Sequence, residues 1–171
     1  MIRAVFFAPQ SPIQYIQSPA DIQACLAVQD GLLWVSMEDA QPDDFQTIMQ
    51  DIFHFHPLTI EDCQSEGYQP PKVDDFGDYL FMIFHALSYT RLDGDLETCE
   101  LDCFLGRNFL VTSYHGAFMS PVSFVWERIK RDQRLLQNGA DFLCHALLDH
   151  LVDEYMPYLD ELDNEIDLLE D

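Results

Sequence analysis

The residues best suited to chemistry in this sequence are two adjacent carboxylates, Glu61 and Asp62, with His54 and His56 shortly before them. Mg²⁺ prefers oxygen ligands and is usually held by one or two carboxylates with water completing its coordination. Two histidines two positions apart would face one side of a strand and could bind zinc, but strong zinc sites show more ligands at regular spacing. His56 also precedes Pro57, which favours an extended residue leading into a helix. The histidine pair is therefore a weak candidate for a metal site, and the residues alone favour ordinary solvated acids over a Mg²⁺ site at Glu61 and Asp62.

A second acidic pair, Asp149 and Asp153, lies near the C-terminus. Residues four apart lie on the same face of a helix, so both carboxylates would point the same way. His145 precedes Asp149 by four residues, an arrangement that could bind Co²⁺ or Ni²⁺ weakly. A solvated surface again remains the alternative interpretation.

The charge of the chain limits its partners. The 171 residues include 31 acidic and 8 basic ones, for a formal net charge of −23, and 48% of the residues are apolar. Such a chain can bury a core, whereas nucleic acid and anionic lipid surfaces would be repelled. Divalent cations would be attracted. No nucleic-acid partner is therefore expected.

The cysteines and apolar stretches indicate a reduced, soluble chain. The five cysteines form no CxxC pair, which favours free thiols in a cytosolic compartment. The N-terminal apolar run has no cleavage region typical of a secretory signal, and no apolar stretch approaches the roughly 18 residues that a membrane span needs.

Hydrophobic patterns predict an α/β (α+β) fold, in which a mixed, largely antiparallel sheet is sandwiched between helical layers. Polar and apolar residues alternate in "CELDCFL", as expected for a strand with one solvated side. The Asp-Gly in "TRLDGDLE" predicts a hairpin. The predicted strands are Ile2–Ala8, Ile13–Ile16, Leu32–Met37, Tyr79–Tyr89, Thr98–Gly106 and Asn108–His115. Predicted helices are "PADIQACLAVQ", "PDDFQTIMQDIF", "PLTIEDC" and "SPVSFVWERIKRDQRLL", each with a proline at or near its start.

The last predicted helix, from about residue 140 to 171, is long for a chain of this size. Thirty-two helical residues span roughly 48 Å, against a radius of gyration of roughly 15 Å for a compact chain of this length. Pro157 predicts a bend rather than a stop. A heptad seam at its end would need a partner; it consists of Tyr155, Leu159, Leu162, Ile166 and Leu169. We therefore divide the chain into an α/β/α domain at 1–138 and the proximal part of a stalk helix at 139–171. The alternative is a helix that folds across its own sheet.

Five segments, in order, resemble the cytoplasmic N-terminal domain of the CorA-type divalent cation transporters. These segments are "HPLTIED", "QPPKVDDFGDYLFMIF", "FLGRNFLVTSYH", "PVSFVWERIKRD" and "DFLCHALLDHLVDEYMPYLDELDNEIDLLED". One departure is Pro70, where the family usually carries arginine. The resemblance implies a sheet between helical layers and a long helix leading towards the membrane.

The resemblance also implies a homopentamer whose soluble domains lie on the cytoplasmic side of the inner membrane. Family members add two C-terminal transmembrane helices, with a Gly-Met-Asn signature at the pore entrance, and this sequence has neither. The family's sensing carboxylates match Glu61, Asp62 and Asp149, to which Asp153 adds a neighbour on the same helix face. The expected regulatory ion is Mg²⁺, with Co²⁺ or Ni²⁺ possible. The isolated domain is expected to be monomeric, because part of each inter-subunit site lies further along the helix. Alternatives are a zinc transporter domain of the same family and a metal-dependent phosphoester hydrolase, although no catalytic motif supports an enzyme.

Overall fold

The computed structural model describes residues 1–65, 67–89, 96–116 and 119–170, and places a seven-stranded sheet at their centre. The strands are β1 (Ile2–Phe7), β2 (Gln14–Ile16), β3 (Leu32–Glu38), β4 (Lys72–Asp75), β5 (Tyr79–Tyr89), β6 (Leu96–Gly106) and β7 (Phe109–Tyr114). They lie in the order β2-β1-β3-β7-β6-β5-β4. β3 and β7 pair in parallel, and the other neighbours pair antiparallel. The predicted mixed, largely antiparallel sheet is confirmed.

Helices cover both faces of the sheet, as the sequence predicts. They are α1 (Pro19–Leu26), α2 (Pro42–Asp44, continuing as a π-helix over Phe45–Ile52), α3 (Pro57–Gln64), α4 (Ser120–Arg131), α5 (Arg134–Gln137) and α6 (Ala140–Glu170). Apolar residues of α1, α2 and α3 share one core with one face of the sheet, and those of α4, α5 and α6 share a second core with the other face. Alternating strand residues contribute to opposite cores, because successive side chains point to opposite faces.

The strands predicted from β-branched and aromatic runs are present, with ends that differ from the prediction by no more than two residues. β5 and β6 pair antiparallel as far as Tyr89 and Leu96, so the predicted hairpin is confirmed, whereas its Asp-Gly turn lies outside the described residues. β4 was not predicted, because Lys72–Asp75 is short, charged and preceded by two prolines. It forms as an edge strand by pairing with β5.

The helix predicted to run through "SPVSFVWERIKRDQRLL" is interrupted, and that prediction is wrong in this detail. α4 ends at Arg131 and α5 begins at Arg134. The Asp132 carboxylate accepts hydrogen bonds from the Arg134 backbone N–H and the Arg134 guanidinium, at 3.1 and 2.9 Å. A short acidic side chain that binds a nearby backbone N–H competes with the helical hydrogen bond, which explains the break.

The last helix, α6, begins in the core and ends outside it. Leu143, Leu147 and Leu151 are buried against the sheet, whereas Leu162 and Leu169 are 52% and 86% exposed. The helix continues through Pro157, as the sequence predicts. Its first half therefore belongs to the second core. Tyr155, the first residue of the heptad seam, still packs against that core, whereas Leu159, Leu162, Ile166 and Leu169 are exposed in the described part of this chain.

Candidate metal centre

Glu61 and Asp62 lie in the last turn of α3, which His56 and Pro57 initiate. His56 is the N-cap, and its Nδ1 accepts a hydrogen bond from the Leu58 N–H at 3.2 Å. Ile60 and Cys63 face the first core, which leaves Glu61 exposed and Asp62 half-buried. The α3 packing thus presents one carboxylate to solvent and holds the next against the sheet.

The Asp62 carboxylate has a cationic neighbour that sequence reasoning missed. Lys72 Nζ lies 2.8 Å from Asp62 Oδ2 and 3.2 Å from Asp74 Oδ2. The hydrogen bond to Asp62 raises the pKa of Lys72. An ionised carboxylate has two acceptor oxygens, so the second oxygen of Asp62 can still bind a cation. The sequence "KVDD" places Lys72 and Asp74 on the same side of the chain only if it is recognised as a strand, so the Lys72 contact could not be predicted without β4.

Asp149 and Asp153 are both on α6, four residues apart, and therefore lie on one side of the helix as predicted. The neighbouring Leu147 and Leu151 are buried in the second core and fix which side faces outward. His145 is exposed and its ring lies 6.4 Å from that of Phe142. The proposed weak site at His145 and Asp149 gains no third ligand among the described residues.

The two acidic pairs, Glu61–Asp62 and Asp149–Asp153, do not lie together in one cluster. α3 packs on one face of the sheet and α6 on the other. Across the ranges that the structure describes, no group of three or more His, Cys, Asp or Glu side chains is arranged to hold a metal ion. A metal bound at either pair would need water or ligands from another chain to complete its coordination.

The two histidines that could have bound zinc have local structural roles. His54 has a left-handed backbone, with φ of 55°, and its Nδ1 lies 2.9 Å from the Gln50 carbonyl oxygen. The His56 Nδ1 accepts from Leu58, which leaves that nitrogen unable to bind a metal at the same time. The Nε2 atoms of both rings take no part in these contacts, so whether the pair binds zinc stays a prediction.

An acidic pair on β6, of which Asp102 is buried and Glu100 partly buried, was not recognised from the sequence. The polar side of this strand was expected to be solvated, but Asp102 is only 2% exposed, so that expectation is wrong there. Cys63 of α3 lies over it, and Glu100 lies two residues earlier on the same strand face. One oxygen of each carboxylate is buried without a hydrogen-bond partner among the described atoms. Burial, followed by the charge of Glu100, raises the pKa of Asp102 to about 8.

Comparison with known families identifies the fold and its relatives. The family model described as "CorA-like Mg2+ transporter protein" matches residues 29–171. The chain belongs to this CorA-like family. The cobalt/magnesium transport protein CorA of Thermotoga maritima is 29% identical over 156 residues, which cover 88% of this chain and 43% of that protein.

Two solved structures of low identity share the fold. The soluble domain of CorA from Methanocaldococcus jannaschii has a TM-score of 0.70 at 17% identity, covering 99% of this chain and 63% of that one. The ZntB cytoplasmic domain from Vibrio parahaemolyticus has a TM-score of 0.68 at 10% identity, covering 95% and 63%. Both likenesses concern the fold of the CorA-like domain.

The CorA-like chain spans less than half the length of the Thermotoga maritima relative. None of the helices in the described ranges combines the length and apolar character needed to cross a bilayer.

Proposed function

We propose that this chain is the cytoplasmic, divalent-cation-sensing part of a CorA-like transporter, with Mg²⁺ as its regulatory ion. The observation that supports this most is the placement of Glu61–Asp62 and Asp149–Asp153 on helices that cover opposite faces of one sheet. Neither pair is completed by the other within the chain. Each pair is therefore suited to sites shared between neighbouring copies in a homopentamer.

The proposed mechanism is electrostatic. Carboxylates from adjacent copies repel each other when no cation lies between them. A hydrated Mg²⁺ held by one or two carboxylates replaces that repulsion by attraction and draws the copies together. Binding to the closed arrangement in preference to the open one shifts a two-state equilibrium and closes the pore at high internal Mg²⁺. Loss of the ion reverses the shift.

The ligand chemistry favours Mg²⁺ over zinc as the regulatory ion. The four proposed ligands are all carboxylates, the hard donors that Mg²⁺ prefers, whereas zinc in proteins is usually bound by cysteine and histidine as well. Co²⁺ and Ni²⁺ accept carboxylate and imidazole, so His145 beside Asp149 gives them a weaker alternative. A zinc-transporting relative would share the fold and differ in this ligand set.

We also propose that the chain is not an enzyme. The matched family and its Thermotoga maritima relative are described as transport proteins. A two-metal phosphoester hydrolase needs metals about 3.5–4 Å apart on convergent ligands. The two acidic pairs lie on helices that cover different faces of the sheet, which disfavours that alternative.

The test uses Asp62→Asn and Asp149→Asn in the full-length transporter, with ion flux measured against internal Mg²⁺. Each substitution removes one charge at nearly constant volume. Both are expected to raise the Mg²⁺ concentration that half-inhibits flux, because the loss of one carboxylate charge lowers the affinity of Mg²⁺ for the closed state. Asp30→Asn is the matched control, since Asp30 is exposed on a loop away from both pairs. Unchanged inhibition in both sensor variants would contradict the proposal.

A further inference from the structure

A cavity of about 760 Å³ lies between α4, α6 and the N-terminal strand, and three of the chain's eight basic residues line it. These are Arg3, Arg128 and Arg131. Ser120, Ser123 and His150 also contribute to its wall. The cationic lining is unexpected in a chain with a net charge of −23.

Among the described residues, no carboxylate forms a direct ion pair with these three arginines, although acids outnumber bases almost fourfold. Within the described ranges, the ion pairs involve Lys72, Lys130, Arg134 and two histidines, and none involves the arginines of the cavity. Arginine forms bidentate hydrogen bonds readily with carboxylates and phosphates. Glu127 and Asp132 are near enough to interact electrostatically with these arginines but do not pair with them directly, so three guanidinium groups around one cavity remain available to an anionic ligand.

Arg3 is held in place before any ligand arrives. Its guanidinium carbon lies 4.9 Å from the centre of the Trp126 ring, and its Nη2 donates to the Tyr114 hydroxyl at 3.4 Å. Its Nε is buried and has no hydrogen-bond acceptor among the described atoms. Buried donors in native proteins are nearly always paired, so this nitrogen is an exception. Because Nε is shielded from solvent, the rest of the guanidinium group would make the contact to a ligand.

An aromatic surface lies beside the arginines. Phe124 stacks on His150, with ring centres 3.9 Å apart and planes within 2° of parallel. Phe124 is 47% exposed, so part of its ring remains open to another planar group. A nearby flat aromatic surface and a set of guanidinium groups are the two elements that recognise a base and its phosphates.

We propose that this cavity binds a nucleoside phosphate, with Arg3, Arg128 and Arg131 contacting the phosphates and Phe124 contacting the base. Acidic residues outside the cavity repel a bound phosphate only weakly, because charges are screened beyond about 8 Å at physiological ionic strength. Of the two carboxylates in the lining, Glu127 is paired with Lys130, and Glu154 lies 3.5 Å from His150 Nε2. This proposal stands independently of metal sensing.

The test is calorimetric titration of the chain with ADP in the presence of EDTA, so that the proposed metal sites do not contribute. Arg128→Gln and Arg131→Gln are each expected to weaken binding about tenfold or more, the usual effect of losing a hydrogen bond to a charged group. Arg107→Gln is the control, because Arg107 is exposed in the turn after β6 and the substitution removes the same charge. It is expected to leave the affinity within about twofold.

Additional ligands separate the phosphate from the base and from lipid. Pyrophosphate should bind more weakly than ADP, and Phe124→Leu should reduce ADP binding to the pyrophosphate level. Equal binding of pyrophosphate and ADP would overturn the nucleoside assignment. Absence of ADP binding, or equal losses in Arg107→Gln and Arg128→Gln, would overturn the site. Co-sedimentation with phosphatidylglycerol vesicles without ADP binding would assign the arginines to a lipid headgroup instead.

Discussion

The ammonium group of Lys72 lies 2.8 Å from the Asp62 carboxylate, so a proposed Mg²⁺ ligand already has a cation beside it. The same ammonium lies 3.2 Å from Asp74. Lys72 and Mg²⁺ would bind different oxygens of one carboxylate, and repulsion between the two cations would weaken the binding of the metal. Because both side chains of the Lys72–Asp62 pair are partly exposed, this repulsion is modest.

Removing the positive charge of Lys72 should make the transporter more sensitive to Mg²⁺. We expect Lys72→Gln in the full-length protein to lower the Mg²⁺ concentration for half-inhibition of flux by about two- to fivefold, since a partly exposed ion pair is worth up to about 1 kcal/mol. Lys130→Gln, which breaks an ion pair with Glu127 on α4, is the control. Equal shifts in the two variants would show a general charge effect and contradict the specific role of Lys72.

The buried carboxyl of Asp102 should make stability depend on pH. Its folded pKa of about 8 lies above the ordinary aspartate value of about 4. Between about pH 4 and pH 8 the folded state therefore keeps a proton on Asp102 that the unfolded state has lost. The stability that depends on this protonated carboxyl is fully present below about pH 4 and is lost as pH rises to about 8. We expect the free energy of unfolding of Asp102→Asn, measured by urea unfolding, to rise relative to that of the native chain as pH increases. The difference should grow by roughly 2–4 kcal/mol from pH 5 to pH 8. Asp30→Asn should show no such pH-dependent gain.

The two halves of α6 should differ in their contribution to stability. Leu147 is fully buried, and Leu147→Ala is expected to lower the free energy of unfolding by about 2–5 kcal/mol through lost packing and a cavity. Leu162 is 52% exposed, and Leu162→Ala should change it by about 0.5 kcal/mol or less. Similar losses in both variants, measured by urea unfolding, would mean that the distal half is also packed.

The isolated chain is expected to sediment as a monomer and to bind Mg²⁺ weakly. From residue 141 to 171 there are eleven acidic residues and no lysine or arginine, so paired last helices would repel each other. Analytical ultracentrifugation with and without Mg²⁺ measures this directly. A stable pentamer in either condition would contradict the prediction.

Elements determined by local residue patterns agree with the sequence prediction, whereas those that depend on distant contacts differ from it. β5 was predicted at its observed bounds, because its aromatic and β-branched residues determine a strand locally. β4 was missed, since its charged residues become a strand only by pairing with β5. The break at Asp132 was missed because it depends on one side chain binding the backbone two residues later.

The sequence by itself determined the alternation of strands and helices, the acidic surface, the proximity of Glu61 to Asp62 and the shared face of Asp149 and Asp153, because these depend on neighbouring residues and on helical or strand periodicity. Tertiary structure alone decided that Lys72 pairs with Asp62, that α3 buries Asp102 and that Arg3 joins Arg128 and Arg131 around one cavity. The last of these brings the N-terminal strand together with a helix from the C-terminal third of the chain. No local pattern encodes such contacts, since they arise only when the sheet and its two helical layers pack together.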